Sequence, residues 1–543
     1  METAMPNHPP WFDGRTASTD DCVLPRVIER RAAQQSDKVM ISFADGTHWT
    51  AAQTLLRMQA MAELLAANGV SRGDYVPVWM PNSADLLQAW LGCNYLGAIF
   101  VPLNTDFRGS ILAHVLRECD ARLLILHPQL ADRLSGIDSA PDLLLLCGPA
   151  KGASASLDNS ICIEELPQKP DVIPPPAELA PWDMQTVIFT SGTTGPSKGV
   201  LCPYGHIYST AQATYGYLNS GDTMLTELPI FHVGGAGSVV AALCNDACLA
   251  LYPGFSTQEF WQRIAREGAT ATSGLIGSMA DFLAQSPPSP SDRNNTLRMM
   301  TLMLTEQAIR VSERFDFSYL SGFNMTELSG PLIADINCRI AGSLGRPRSG
   351  CDCRVVDDHD IPVPDGEPGE LLVRSEHPWT FFHSYLNRPD ATAKAWQNGW
   401  FHTGDLVRRD SDGNYFFVDR KKDAIRRRGE NVSSAEVEAE ALQHPGVGEV
   451  CAVAVPSELA EDEILLAYVS TTAPQVSPQE LADFLIPRMP HFMVPRYFRA
   501  MKTLPRTATN KVRKVEIREQ GVTADSWDRE AAGITLKRTR FDR

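Results

Sequence analysis

A short apolar run, Thr186-Val-Ile-Phe189, leads directly into Thr190-Ser191-Gly192-Thr193-Thr194-Gly195-Pro196-Ser197-Lys198-Gly199, and no other stretch constrains the chain so tightly. The run reads as a buried strand. The glycines that follow permit tight turns and close backbone approach, and their amides can line an anion. Hydroxyl side chains and Lys198 add donors within the same few residues, so the loop suits a polyphosphate. It is not a P-loop of the Walker kind, which requires Gly-Lys followed by Ser or Thr. Here Lys198 follows Ser197 and precedes Gly199.

A chain of 543 residues exceeds one ordinary domain and can bury a large core with an appended smaller one. With 43% hydrophobic and 21% charged residues the composition is globular, and a net charge of -16 argues against general nucleic-acid affinity. The twelve cysteines are scattered without a Cys-x-x-Cys pair, which suggests reduced thiols in a cytoplasmic protein rather than a zinc site. The N-terminus lacks the basic start and apolar core of a signal peptide, and no stretch is apolar for long enough to span a bilayer.

From residue 20 to 150, apolar runs alternate with helical patterns. Val23, Val27, Ile28 and Ala32 mark one buried helix face, and Ser83 to Leu96 reads as another helix. Val76–Met80, Ala98–Val101, Arg122–Leu126 and Leu143–Cys147 read as strands of a helix-covered parallel sheet. Residues 151–182 are polar and proline-rich and read as a connecting loop. A second α/β round follows, with strands at Leu225–Leu228 and Ala247–Tyr252 and a surface loop at Ser286–Asn295. Short alternating strands beyond residue 340 suggest a small β-subdomain. Near Arg420 charge density rises, and the remaining pattern of helix, two strands and helix suffices for a separate α+β domain. The expected organisation is a large domain over 1–419 and a small mobile one over 420–543.

Five further segments follow the glycine loop in order: Pro229-Ile-Phe-His232-Val-Gly-Gly235, Gly322-Phe-Asn-Met-Thr-Glu327, Trp400-Phe-His-Thr-Gly-Asp405, the stretch from Asp419 to Glu436, and Pro505-Arg-Thr-Ala-Thr-Asn510-Lys511. Together with the loop they resemble the adenylate-forming enzymes: acyl-CoA synthetases, luciferases and carrier-protein adenylation domains. Arg428-Gly-Glu-Asn-Val-Ser433, Thr305-Glu-Gln-Ala308 and Glu313-Arg-Phe315 resemble the crotonobetaine/carnitine–CoA ligases within that family.

The resemblance implies roles residue by residue. Thr190, Ser191, Gly192, Thr193, Thr194, Gly195 and Lys198 would hold the phosphates of ATP. Phe323 would stack on adenine, Asn324 stands at a position usually held by glycine, and Thr326 would bond the α-phosphate. Glu327 would hold Mg2+, a hard cation that takes oxygen ligands. Asp405 would accept the ribose hydroxyls, with Arg420 as the second ribose or phosphate contact. Lys422 would be the hinge, and Gly429, Glu430 and Asn431 the loop of the thiol step. His232 would lie near the acid and the approach route of the thiol, and Lys511 would bridge the acid oxygen and the α-phosphate. Arg426, Arg427 and Arg428 form either a solvated face or a seat for CoA phosphates. Gly277, Met279, Ser321 and Gly322 are candidates for the acid pocket.

The implied reaction is ATP-dependent activation of a small carboxylic acid as acyl-AMP, then transfer to coenzyme A with release of AMP and pyrophosphate. A stand-alone adenylating enzyme loading a carrier protein, or a catalytically silent nucleotide-binding homologue, are the alternatives. No nucleic-acid or membrane partner is expected, and the sequence does not disclose the oligomeric state.

Overall fold

The apolar runs between residues 75 and 147 form parallel strands because both of their faces are covered, which removes any need for polar alternation. In the computed structural model, which describes residues 17–148, 160–190, 197–275, 283–284, 286–420, 424–427, 430–457, 462–471, 475–506 and 512–536, they fall at Tyr75–Trp79, Ile99–Pro102, Leu123–Leu126 and Leu143–Cys147. They share one sheet with Met184–Thr190, which pairs in parallel with Ile99–Pro102 and antiparallel with Lys198–Pro203. Thr190 and Lys198 are register partners across that hairpin. The glycine loop is therefore bracketed by two buried strands that fix both of its ends.

The connecting segment is not wholly a loop. Ser160–Ile163 adds an edge strand in parallel with Leu144–Cys147. An edge strand has one neighbour and one wet side, so Ile161 stays 41% exposed and the run lacks the continuous apolar signal of the inner strands.

A second sheet sets Val39–Phe43, Thr223–Thr226, Cys248–Leu251, Ala271–Leu275, Met299–Leu302 and Ser318–Leu320 in parallel, with His48–Thr50 antiparallel at its edge. The strand expected at Leu225–Leu228 begins two residues earlier, which frees Glu227 and Leu228 for the turn into Pro229. Helices Ala84–Leu96, Tyr204–Tyr215 and Val233–Cys244 share a continuous core with both sheets, through Trp90, Ile207 and Val239. The expected apolar face of the first helical stretch is present at Val23, Val27 and Ile28. Arg31 joins it at 1% exposure, donating to the carbonyls of Ala242, Leu243, Asp246 and Ala247. A guanidinium thus satisfies the carbonyls left over at the C-terminal end of helix Val233–Cys244.

Between residues 320 and 420 the strands are antiparallel and include Gly322–Phe323, Leu332–Ile333, Ser343–Pro347, Cys351–Val356, Gly369–Ser375, Trp400–Arg409 and Tyr415–Arg420. The last part begins with the hairpin Ala424–Arg427/Glu430–Ser433 and continues as helix Ser434–Ala441. Strands Val447–Pro456, Asp462–Ser470, Tyr497–Ala500 and Trp527–Asp528 and helices Pro478–Leu485 and Lys514–Gln520 follow. This is the expected α/β architecture: a large N-terminal domain of helix-covered sheets with a β-subdomain, and a smaller α+β unit. All twelve cysteines are free thiols. Among the described residues no helix is long and apolar enough to cross a membrane.

Candidate active site

The Lys198 end of the glycine loop is tied to a buried acid through one tyrosine. Lys198 Nζ lies 4.7 Å from the centroid of the Tyr385 ring, and the Tyr385 hydroxyl donates to Glu327 Oε1 at 2.7 Å. Strand Ser384–Tyr385 pairs with Lys198–Pro203, and Leu386 N donates to Gly199 O at 2.7 Å, so Tyr385 is fixed by backbone on both sides. Burial and the adjacent Glu327 charge push the Tyr385 hydroxyl well above its ordinary pKa, which keeps it a proton donor. Thr190 Oγ1 donates to Lys198 O at 3.4 Å and closes the hairpin end. Ser191, Gly192, Thr193, Thr194 and Gly195 lie outside the described residues.

Glu327 sits in a turn that three buried groups hold from behind. His206 Nε2 donates to Leu328 O at 2.8 Å, and burial lowers its imidazole to about 4, so it is the neutral tautomer with the proton on Nε2. Arg348, 2% exposed, donates to Ser329 O, Gly330 O and Ser329 Oγ. Phe382 N donates to Glu327 O at 3.0 Å. Gly322 opens the turn where a Cβ would lie 2.5 Å from Leu332 O, so the position excludes side chains.

Phe323 is 9% exposed, in contact with the main core, and Thr326 is half-buried beside Glu327. Asn324 needs no left-handed backbone, since it is not among the residues with positive φ. Its Oδ1 instead accepts from Gly330 N at 2.8 Å, turning the side chain back into its own loop. Ser321 is buried and Gly322 exposed, whereas Gly277 and Met279 lie outside the described residues.

The Thr403-Gly404-Asp405 turn depends on glycine, with Gly404 at φ +72. Gly404 N donates to Glu370 Oε1 and Thr403 Oγ1 to Leu371 O, which fixes the turn from the neighbouring strand. Asp405 is 1% exposed and is the cross-strand partner of Arg420. The sheet register alone therefore sets these two positions opposite one another.

Among the described residues, four polar contacts join the smaller unit to the large one, and buried apolar side chains of both share one core. His232, at the start of helix Val233–Cys244, has Nε2 2.9 Å from Glu430 Oε2. Glu436 Oε1 accepts from Ser197 N at 2.8 Å and Ser197 Oγ at 2.7 Å. Ser110 Oγ donates to Glu440, and His491 Nδ1 lies 3.4 Å from Asp106. Arg427 corrects the reading of the basic cluster: at 1% exposure it bonds Phe492 O and Val494 O and pairs with Glu463 at 2.7 Å, so it is an internal clamp. Arg426 is exposed. Lys422, Arg428, Gly429 and Lys511 fall outside the described residues, as does the side chain of Asn431.

Sequence reasoning missed Tyr385, Arg348, His206 and Glu436. Tyr385 carried a weak signal, as one aromatic in the cluster from Trp379 to Tyr385. The other three act through contacts more than fifteen residues away, and one sequence alone gives no indication of such pairs.

The chain matches the family model for the AMP-binding enzyme over residues 28–386 and that for the AMP-binding enzyme C-terminal domain over 436–511. It is 30% identical over 473 residues to a crotonobetaine/carnitine–CoA ligase of Proteus mirabilis, covering 83% of this chain and 90% of that one. A solved o-succinylbenzoate–CoA synthetase of Bacillus subtilis, bound to a product analogue, superposes with a TM-score of 0.78 at 24% identity, over 92% of this chain and 99% of that one. The same Bacillus enzyme in complex with AMP superposes at 0.62 and 25% identity, over 91% and 97% of the two chains. The chain belongs to the AMP-binding enzyme family, among its acyl-CoA ligases.

Proposed function

We propose that this chain activates a small carboxylic acid with ATP as an acyl-adenylate and passes the acyl group to the thiol of coenzyme A, in two steps that use two positions of residues 420–543. The observation that carries this reading is the set of Lys198, Tyr385 and Glu327 at the end of the loop hairpin, where a cation and a buried carboxylate flank one aromatic ring.

Glu327 suits a hard cation. It is 5% exposed, and among the described residues no lysine or arginine pairs with it. Among the described residues no three His, Cys, Asp or Glu side chains gather into a metal cluster, so the protein would supply one carboxylate. That fits Mg2+, which is commonly held by one or two carboxylates together with phosphates and water. When bound, the ion neutralises phosphate charge.

A carboxylate and a triphosphate repel each other, and the loop amides, Lys198 and Lys511 offset that repulsion. Thr326 orients the α-phosphate, Phe323 bounds the adenine, and Asp405 with Arg420 holds the ribose. The acid oxygen attacks the α-phosphorus, the bond to pyrophosphate breaks, and acyl-AMP forms. In the second step the thiol sulfur attacks the acyl carbon and AMP leaves. His232, paired with Glu430, is the base we assign to the thiol proton. Lys511 and the Gly429–Asn431 loop serve different steps, so the small domain turns about Lys422 between them. The closer whole-chain superposition on the product-analogue complex than on the AMP complex supports reading the present arrangement as that of the second step.

Coenzyme A is preferred to a carrier protein as acceptor because the chain's relatives include CoA ligases. The free cysteines support a reducing, cytoplasmic setting. Two variants test the scheme. Lys511→Ala should lower pyrophosphate release by roughly 10²–10³-fold and leave thioester formation from supplied acyl-adenylate intact. Gly429→Trp should do the reverse by blocking the thiol's approach. Loss of the same half-reaction in both variants would overturn the two-position scheme.

A further inference from the structure

Ser197, at the edge of the phosphate loop, has every backbone and side-chain polar group engaged. Its N–H and hydroxyl donate to Glu436 Oε1 at 2.8 and 2.7 Å, and its carbonyl accepts from His114 Nε2 at 2.8 Å. Ser197 is 3% exposed and Glu436 8%. Among the described residues no lysine or arginine pairs with Glu436, so its carboxylate meets an amide and a hydroxyl only. Such donors suit a phosphate oxygen.

We infer that Glu436 is a stand-in for phosphate: its carboxylate takes the loop donors when pyrophosphate has left, and so holds the C-terminal domain in the thioester-forming position. The inference rests on the two-step reading above and adds to it what senses the end of the first step. A bound polyphosphate and the Glu436 carboxylate exclude each other twice, by competing for the Ser197 donors and by like-charge repulsion in a buried junction. Burial raises the Glu436 carboxyl to about 7 against the pull of the two Ser197 bonds.

The helix that carries Glu436 is two-sided. Glu436 and Glu440, one turn apart, face the large domain, where Glu440 accepts from Ser110 Oγ. Ser434 and Glu438 face the other way and receive Lys514 Nζ at 2.7 and 2.8 Å. Lys514 lies three positions beyond Lys511 in sequence. One short helix thus reads the phosphate loop on one side and grips the base of the lysine segment on the other.

The test uses the full chain and methylenediphosphonate as a pyrophosphate analogue. Small-angle scattering of the wild type should shift toward a more extended form when the analogue is added. Glu436→Ala should already show that form without it, and Glu436→Gln, which keeps an acceptor oxygen, should restore the compact one. In half-reactions with whichever acid releases pyrophosphate fastest, Glu436→Ala should slow thioester formation from acyl-adenylate about tenfold, the loss of a charge-assisted hydrogen-bonded contact. Pyrophosphate release should change less than about twofold, and Glu436→Gln should recover most of the thioester rate. Unchanged scattering on adding the analogue overturns the inference whatever the kinetics, and so does an equal loss of both half-reactions in Glu436→Ala. Absence of any pyrophosphate release by the wild type would instead defeat the functional reading, a result that the scattering arm distinguishes.

Discussion

The two sides of the candidate site are held together by different means. On the large domain, Glu327, Lys198 and Asp405 are held by buried groups: Tyr385 bonds Glu327 itself and lies under Lys198, His206 and Arg348 bond the three residues after Glu327, and Glu370 accepts from Gly404 beside Asp405. On the small domain, the polar contacts that reach across come from Glu430, Glu436, Glu440 and His491, meeting a histidine, two serines and Asp106, and buried apolar side chains of both units share one core. Buried hydrogen-bonded networks rigidify a structure, whereas polar contacts across a junction can be exchanged for others. On the two-step reading proposed above, one side stays and the other moves.

Predictions that strike the fixed side should damage chemistry or folding. Glu327→Gln removes the only carboxylate we assign to the cation and should lower pyrophosphate release by roughly 10²–10³-fold, with thermal stability little changed. A stable variant of full activity would break the comparison at its centre. Arg348→Ala leaves the Ser329 and Gly330 carbonyls without their buried donor and should cost about 3 kcal/mol, read as a drop of several degrees in the first thermal transition. Tyr385→Phe removes one hydrogen bond to a carboxylate while keeping the ring beneath Lys198, and should slow pyrophosphate release about tenfold.

The smallest effect is a pH dependence. His206 is buried neutral, with its imidazole lowered to about 4 from an ordinary value of 6.5. The unfolded chain therefore binds a proton that the folded one refuses. This contribution to stability is complete above about pH 6.5 and is lost progressively as pH falls toward 4. His206→Gln should flatten the fall in melting temperature between pH 7 and 5 relative to wild type. An equal fall in both would mean that other groups govern acid sensitivity.

Much of the fixed side was legible in the sequence because its signals are local. The inner strands are unbroken apolar runs, and the glycine loop, the Gly322–Glu327 turn and the Gly404 turn each sit in a few consecutive residues. Ser160–Ile163 was hidden because an exposed edge strand carries no such run. The supports of the site were hidden for another reason: Arg348, His206 and Tyr385 meet their partners only after folding. The Asn324 exchange illustrates the same limit. A position usually held by glycine suggests a need for positive φ, but Asn324 has none, and its side chain instead accepts from Gly330 N. In the smaller unit the Arg426–Arg428 run looked uniform, yet Arg426 and Arg427 lie on opposite faces of a two-stranded hairpin, as alternation along a strand requires.

The central claim is that this scaffold forms an acyl-adenylate and then transfers it, and a rapid-quench experiment addresses it most directly. The wild type is mixed with labelled ATP, Mg2+ and a panel of carboxylic acids without coenzyme A, then chased with it. The account predicts, for at least one acid, a stoichiometric burst of pyrophosphate with enzyme-bound acyl-AMP, which the chase converts to thioester and AMP. Formation of ADP and phosphate in place of AMP and pyrophosphate, or no burst with any acid, would contradict it.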